Sequence, residues 1–254
     1  MMHMVEIDLT RFKGGKGHRP ITSPEAMLDA ITALGIVPFF INIVPGYSIE
    51  EMTPKECWFD DDSDTLGPWD WKIDCIQSGS IAYGKFLLGG KASFATVERY
   101  RELMNWRRSR KELEPKGLEM DVYNAIVEAG TLTTSELRKR FGVRKSKMDT
   151  IITHLEYATL VVAGDIQRVY RGPDLHYSGW QRSSVCTPEA LFGLNEVADE
   201  AEDFSEIFFK TKKQGADKTG KEDISPEVSF TRLCGHIHER FPLAEEAMIR
   251  KAIW

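Results

Sequence analysis

The 254-residue sequence predicts an α+β fold, mainly α, with small antiparallel β elements, and three observations carry that expectation. Apolar residues recur at helical spacing in stretches opened by Ser, Thr or Pro and closed by Gly. The runs that read as strands are short and lie beside turn chemistry such as Gly89-Gly90 and Gly172-Pro173-Asp174. Composition is that of a globular chain, 42% hydrophobic and 28% charged, long enough to bury a sizeable core.

The first helix is expected in "ITSPEAMLDAITALG". Thr22 and Glu25 have capping-box spacing, Pro24 suits the first turn, and Met27, Leu28, Ile31 and Leu34 make one stripe that Gly35 ends. "GIVPFFINIVPG", residues 35–46, then reads as a strand or short buried segment closed by a Pro45-Gly46 turn. Ser48 is placed to cap a short helix. "WFDDDSDTLGPWDW" reads as an exposed acidic loop anchored by Trp58, Trp69 and Trp71 packing inward, and "IAYGKFLLGGKASFATVERY" as a hairpin followed by a helix beginning near Ala95.

Dense charge at 105–117 marks a boundary between an N-terminal α/β portion, 22–116, and a second unit, 117–187. In that unit Met120, Val122, Tyr123, Ile126 and Val127 predict one helix. A short second helix, capped by Thr133 or Thr134, turns Leu137 and Phe141 inward, and a third uses Met148, Ile151, Ile152 and Leu155. A strand at 160–164, a turn and a second strand "RSSVCT" follow. Helix, short helix, helix, strand, turn, strand is the order of a winged helix-turn-helix. Residues 1–21 read as a flexible lead-in. Residues 188–254 read as a C-terminal helical extension with a mobile loop near 210–227 and a closing helix "SPEVSFTRLCGHIHERF".

A net charge of −6 excludes a wholesale nucleic-acid coat but not a local basic patch. Arg138, Lys139, Arg140, Arg144, Lys145 and Lys147 straddle the turn between the second and third helices. In a helix-turn-helix the N-terminal end of the third helix enters the major groove while flanking cations meet phosphates. Arg168, Arg171 and Arg182 fall on the wing and its return strand, so double-stranded DNA is the expected partner, with protein contact the alternative for such a module.

Other chemistry finds little support. Cys57, Cys75, Cys186 and Cys234 show no CxxC spacing, which argues against a zinc ribbon and fits a reducing, cytoplasmic setting. No signal-peptide apolar region or membrane-length window is present, so no membrane association is expected. Asp60, Asp62 and Asp64 alternate like the first ligands of a calcium loop, but Thr65 and Trp71 stand where glycine and glutamate are required. "GGKG" at 14–17 lacks phosphate-loop spacing. His236 and His238 diverge on a helix and read as surface residues, so neither a metal nor a cofactor is expected.

"LGIVPFFINIVPG", "WFDDDSDTLGPWDWK", "IAYGKFLLGGKASF", the unit at 117–187 and the tail "HIHERFPLAEEAMIRKAI" together resemble the AlkZ-related proteins, shorter relatives of the AlkZ/YcaQ winged-helix DNA glycosylases. The resemblance covers nearly all of 22–254. It implies winged-helix modules around a DNA channel and, as the family activity, excision of bulky or crosslinking alkylation adducts. In the glycosylases the segment after the first amphipathic helix holds a glutamine, one spacer, then a glutamine or aspartate, which position water and stabilise positive charge on the sugar. Those places fall at Pro38 and Phe40, whose side chains do neither. Asn42 is the one displaced catalytic candidate. The leading expectation is therefore a DNA-binding protein linked to repair or lesion recognition without the glutamine pair. The alternatives are an active glycosylase whose relocated site uses Asn42 and a carboxylate from Asp60, Asp62 or Asp64, and a protein-interaction module.

Overall fold

The computed structural model describes residues 20–58, 66–194 and 224–254. Asp60, Asp62 and Asp64, and the 210–223 part of the expected mobile loop, lie outside them.

The first helix, α1 (Pro24–Leu34), is capped by Ser23, whose Oγ accepts from Ala26 N at 3.2 Å. The cap is thus one residue later than the Thr22 expected, because Pro24 takes the first helical position, where its missing N–H costs nothing. Met27, Ala30, Ile31 and Leu34 are the buried stripe.

Of the run 35–46, only β1 (Ile36–Pro38) is a strand. It lies antiparallel to β3 (Lys91–Thr96), which also pairs with β2 (Ile81–Leu87), giving the sheet order β1-β3-β2. The expected Ser48 cap opens α2 (Ile49–Met52). "PWDWK" is not loop but the start of α3 (Pro68–Gln77), with Pro68 at its first position and Pro68, Trp71, Lys72 and Cys75 on the buried side at i, i+3, i+4 and i+7. The expected β2–β3 hairpin is present and leads into α4 (Val97–Arg108), capped by Thr96.

The second unit consists of α5 (Leu118–Ala129), β4 (Thr131–Thr133), α6 (Thr134–Phe141), α7 (Lys145–Tyr157), β5 (Val162–Arg171) and β6 (His176–Cys186). Its sheet order is β4-β6-β5, all antiparallel. Both long strands extend farther toward the turn than the apolar pattern marks, because their distal halves carry polar and aromatic residues. The tail contributes α8 (Pro188–Phe192), α9 (Pro226–Arg240) and α10 (Glu246–Ile253).

Among the described residues, two main apolar cores and a small cluster of Ile73, Ile76 and Ile166 result. Leu137, Met148, Ile151, Leu155 and their neighbours from α5 to β6 form the smaller core. The larger is built on α1, the first sheet and α4, and Leu233, Cys234, Ile237, Ile249, Ala252 and Ile253 of the tail complete it. The tail helices therefore pack back onto the N-terminal portion.

Arg107, with 0% exposure, ties the pieces together. Its guanidinium donates to the carbonyls of Tyr157 (2.7 Å), Phe86 (3.2 Å) and Ile253, and lies 3.9 Å over the Tyr157 ring. A planar fork that donates in several directions suits this junction, where the ends of α7, β2 and α10 all present backbone oxygens.

Among the described residues no helix is long and apolar enough to cross a membrane, and no group of three or more His, Cys, Asp or Glu is arranged to hold a metal.

Candidate functional site

The start of α6 is fixed by a complete capping box: Thr133 Oγ1 accepts from Glu136 N at 3.2 Å, and Glu136 Oε2 accepts from Thr133 N at 2.8 Å. Gly142, at φ +62°, supplies the left-handed residue that ends α6 and lets the chain turn into α7. With Leu137 and Met148 buried, Arg138, Lys139, Arg140, Arg144, Lys145 and Lys147 are all left on the outside.

Arg144 is the N-cap of α7, and no side chain bonds to that helix's first amides. The helix dipole and the cations there add in the same sense, making an anion-attracting end. Arg140 is partly engaged, its Nη2 lying 2.7 Å from Glu128 Oε2. The Glu136 carboxyl is held below its ordinary value by the Thr133 hydrogen bonds and then by the charges of Arg182 and Lys139, and Arg182 lies two residues from Ser184, the β6 partner of Thr133.

The hairpin of β5 and β6 divides its polar residues between two surfaces. Arg171 is exposed and lies 4.9 Å over the Trp180 ring. Arg168 instead turns toward α3, where Nη1 and Nη2 meet the two Asp74 carboxylate oxygens at 3.2 and 2.8 Å and Nη2 also donates to Asp70 O. Tyr177 donates to Asp70 Oδ1, Gln181 Nε2 donates to Trp69 O at 3.2 Å, and Gln77 Nε2 donates to Ile166 O at 3.1 Å. The hairpin is thereby fastened to the N-terminal portion, and Arg168 serves that fastening.

Pro38 is buried and opposite Ser93 of β3, while Phe40 is 41% exposed. Between them Phe39 is fully buried and meets Trp58 and Trp69 edge-on, with ring centroids 5.6 and 5.8 Å away. Asn42 is consumed by its own turn: its Nδ2 donates to Tyr47 O and its Oδ1 accepts from Val44 N at 2.8 Å. Glu50 and Glu51 of α2 serve the same loop, accepting from Ile41 N and Gly46 N at 2.9 Å each.

Two residues here were not foreseen as neighbours of the loop. Trp69, expected to pack inward, is 45% exposed, whereas Trp71 is buried. Lys72, only 2% exposed, places its ammonium 3.1 Å from the Trp69 ring centre. Burial pushes its pKa down to about 7, with the nearby Asp70 opposing that shift. The signal was present in the spacing: once Pro68 begins a helix, Trp71 and Lys72 share its inward side.

His236 also departs from the surface role expected of it. Its Nε2 is 2.8 Å from Leu34 O and its Nδ1 is 2.9 Å from Arg240 Nη1. A guanidinium only donates, so Nδ1 is the acceptor and Nε2–H donates to the α1 carbonyl. Arg240 Nε adds a bond to Ala33 O at 2.9 Å, so these two side chains close the C-terminal end of α1. A Cβ on Gly35, itself at φ +72°, would stand 2.5 Å from His236 Nε2, so glycine is required there twice over. His238 is exposed, as expected.

The fold and this arrangement define a helix-rich α+β protein with an exposed cationic helix end at the start of α7 and, around Phe39, a separate aromatic cluster. Residues 21–254 match the family model described as AlkZ related, and the chain belongs to that family. Membership links it, at that coarse level, to the glycosylase-like proteins of DNA repair. Comparison with curated proteins and with solved structures returned no match.

Proposed function

We propose that this protein binds double-stranded DNA through a winged helix-turn-helix formed by α5 to β6, and that it acts in repair or lesion recognition without the glutamine pair of the related glycosylases. The observation that carries the reading is the N-terminal end of α7. Arg144, Lys145 and Lys147 are exposed there, its first amides are free of side-chain caps, and Arg138, Lys139 and Arg182 extend the same charge. A cationic helix end of this kind meets phosphates while its first turn approaches the bases. Arg171 at the hairpin tip reaches the adjoining backbone. Arg168, bound to Asp74, is left out of the proposed interface.

Catalysis by the relatives' route has no support at Pro38 or Phe40. Neither side chain orients water or offers a negative charge to a sugar that becomes positive as its base departs. Asn42 has its amide engaged on turn backbone. The test is fluorescence anisotropy of a labelled duplex with Arg144, Lys145 and Lys147 all changed to Glu. Binding by the native protein and its loss in the variant are expected. Equal affinity of the two would overturn the proposal.

A further inference from the structure

Lys72 and Arg107 are both buried cationic side chains of the N-terminal portion, and their surroundings differ. Arg107 donates to three backbone carbonyls. Lys72, 2% exposed, makes no hydrogen bond or ion pair with any described residue, and the nearby Asp70 is engaged by Tyr177. The Trp69 ring lies 3.1 Å from its Nζ. A buried donor left without an acceptor costs stability, and methionine would fill the same space without that cost, so packing does not account for lysine here. The surrounding rings hold a second unsatisfied donor, the buried Nε1 of Trp58, whose ring is linked to that of Trp69 through Phe39 at centroid distances of 5.6 and 5.8 Å.

We propose that Lys72 is a nucleophilic amine that captures an aldehyde as a reversible imine, with the Trp69 indole as its cover. Three observations point to that ligand class. No hydrogen bond or ion pair occupies the nitrogen, so its lone pair is free to attack a carbonyl carbon, and desolvation is a recurrent way of activating lysine for that reaction. Burial also lowers Lys72 to about 7, so at neutral pH much of it is the uncharged amine, whereas a solvent-exposed lysine, at about 10.4, is almost wholly protonated. The cover is movable: Trp69 is 45% exposed and its indole N–H makes no hydrogen bond with a described residue, so rotation of one side chain uncovers the amine.

In the reaction the nitrogen lone pair forms a bond to the carbonyl carbon while the C=O π pair moves to oxygen, which takes up the proton that nitrogen releases. The resulting carbinolamine takes one proton from solvent and expels water as the nitrogen lone pair completes C=N, leaving a protonated imine. Addition of water reverses both steps, and no oxidant or reductant is consumed. A free small aldehyde and the ring-opened sugar of an abasic site in DNA share this carbonyl chemistry.

The test incubates the protein at neutral pH with glycolaldehyde or, separately, with a duplex holding one abasic site, and adds cyanoborohydride to fix any imine as a secondary amine. Peptide mass spectrometry of the native protein is expected to place the glycolaldehyde adduct on Lys72 at least about 10-fold ahead of the exposed lysines. Lys72→Arg keeps a positive charge but forms no such adduct at this position, and circular dichroism with thermal melting establishes that it is folded. A trapped duplex that Lys72→Arg loses supports the proposal with DNA as the source of the aldehyde. Labelling of Lys72 by glycolaldehyde without that duplex adduct supports it with a free aldehyde as the source. Lys72 left unmodified in both arms overturns it.

Discussion

The N-terminal portion and the unit from α5 to β6 use their polar side chains in opposite ways. Around the first sheet, Asn42, Lys72, Arg107 and His236 turn inward or against the backbone, and each is engaged by a carbonyl or an aromatic ring. Around α6 and α7, the cations turn outward and the interior is left to Leu137, Met148, Ile151 and Leu155. The contrast teaches that charge count alone does not locate function. A cation committed to backbone carbonyls holds the fold, whereas one on a solvent-facing helix end is free to meet an anion.

Breaking the inward set should cost stability and leave the outward surface intact. Arg107→Met strips three carbonyls of a buried donor and is expected to lower unfolding free energy by at least about 3 kcal/mol, read by urea denaturation. A loss below about 1 kcal/mol would show that Arg107 is not the junction described. Breaking the outward set should do the reverse. Changing Arg144, Lys145 and Lys147 to Glu is expected to weaken duplex binding by about 100-fold or more at moderate salt, with little change in melting temperature. A fall in melting temperature in step with affinity would merge the two classes.

Two buried titratable groups sharpen the contrast with opposite pH signatures. Lys72 is lowered to about 7 by burial, from about 10.4 in an unfolded chain, so its contribution to stability improves as pH rises from about 7 toward 10. Glu156, buried on α7, is raised to about 7, chiefly by burial, from about 4.3, so stability is lost as pH rises from about 4 through 7. Lys72→Met should therefore stabilise most below pH 7, and Glu156→Gln most above it, in thermal melts across pH. The smallest expected effect is that of Asn42→Ala, about 1 kcal/mol of stability for the lost turn bonds. Unchanged stability would contradict its structural role, and loss of a measurable base-release activity would return it to catalysis.

Much of this contrast was legible in the sequence, for identifiable reasons. The helices of the second unit announce themselves through caps and stripes, as Thr133 with Glu136 and Met148 with Ile151 and Leu155 do. The cations there are exposed because the stripes leave them no inward position. The inward polar residues were harder to read, since their partners are distant in the chain: His236 meets Leu34, Arg107 meets Phe86 and Ile253, and Arg168 meets Asp74. No local pattern encodes such pairings. α3 was missed for a different reason: the acidic residues before it drew "PWDWK" into a loop reading, although Pro68 and the i, i+3, i+4, i+7 spacing were present.

The most direct test of outward cations meeting phosphate is the salt dependence of duplex binding, measured by anisotropy for the native protein and for a variant with Arg144, Lys145 and Lys147 changed to Gln. The account predicts a linear fall of log affinity with log salt, and a slope shallower by about 2 to 3 in the variant. Parallel slopes, or no binding by the native protein at low salt, would contradict it.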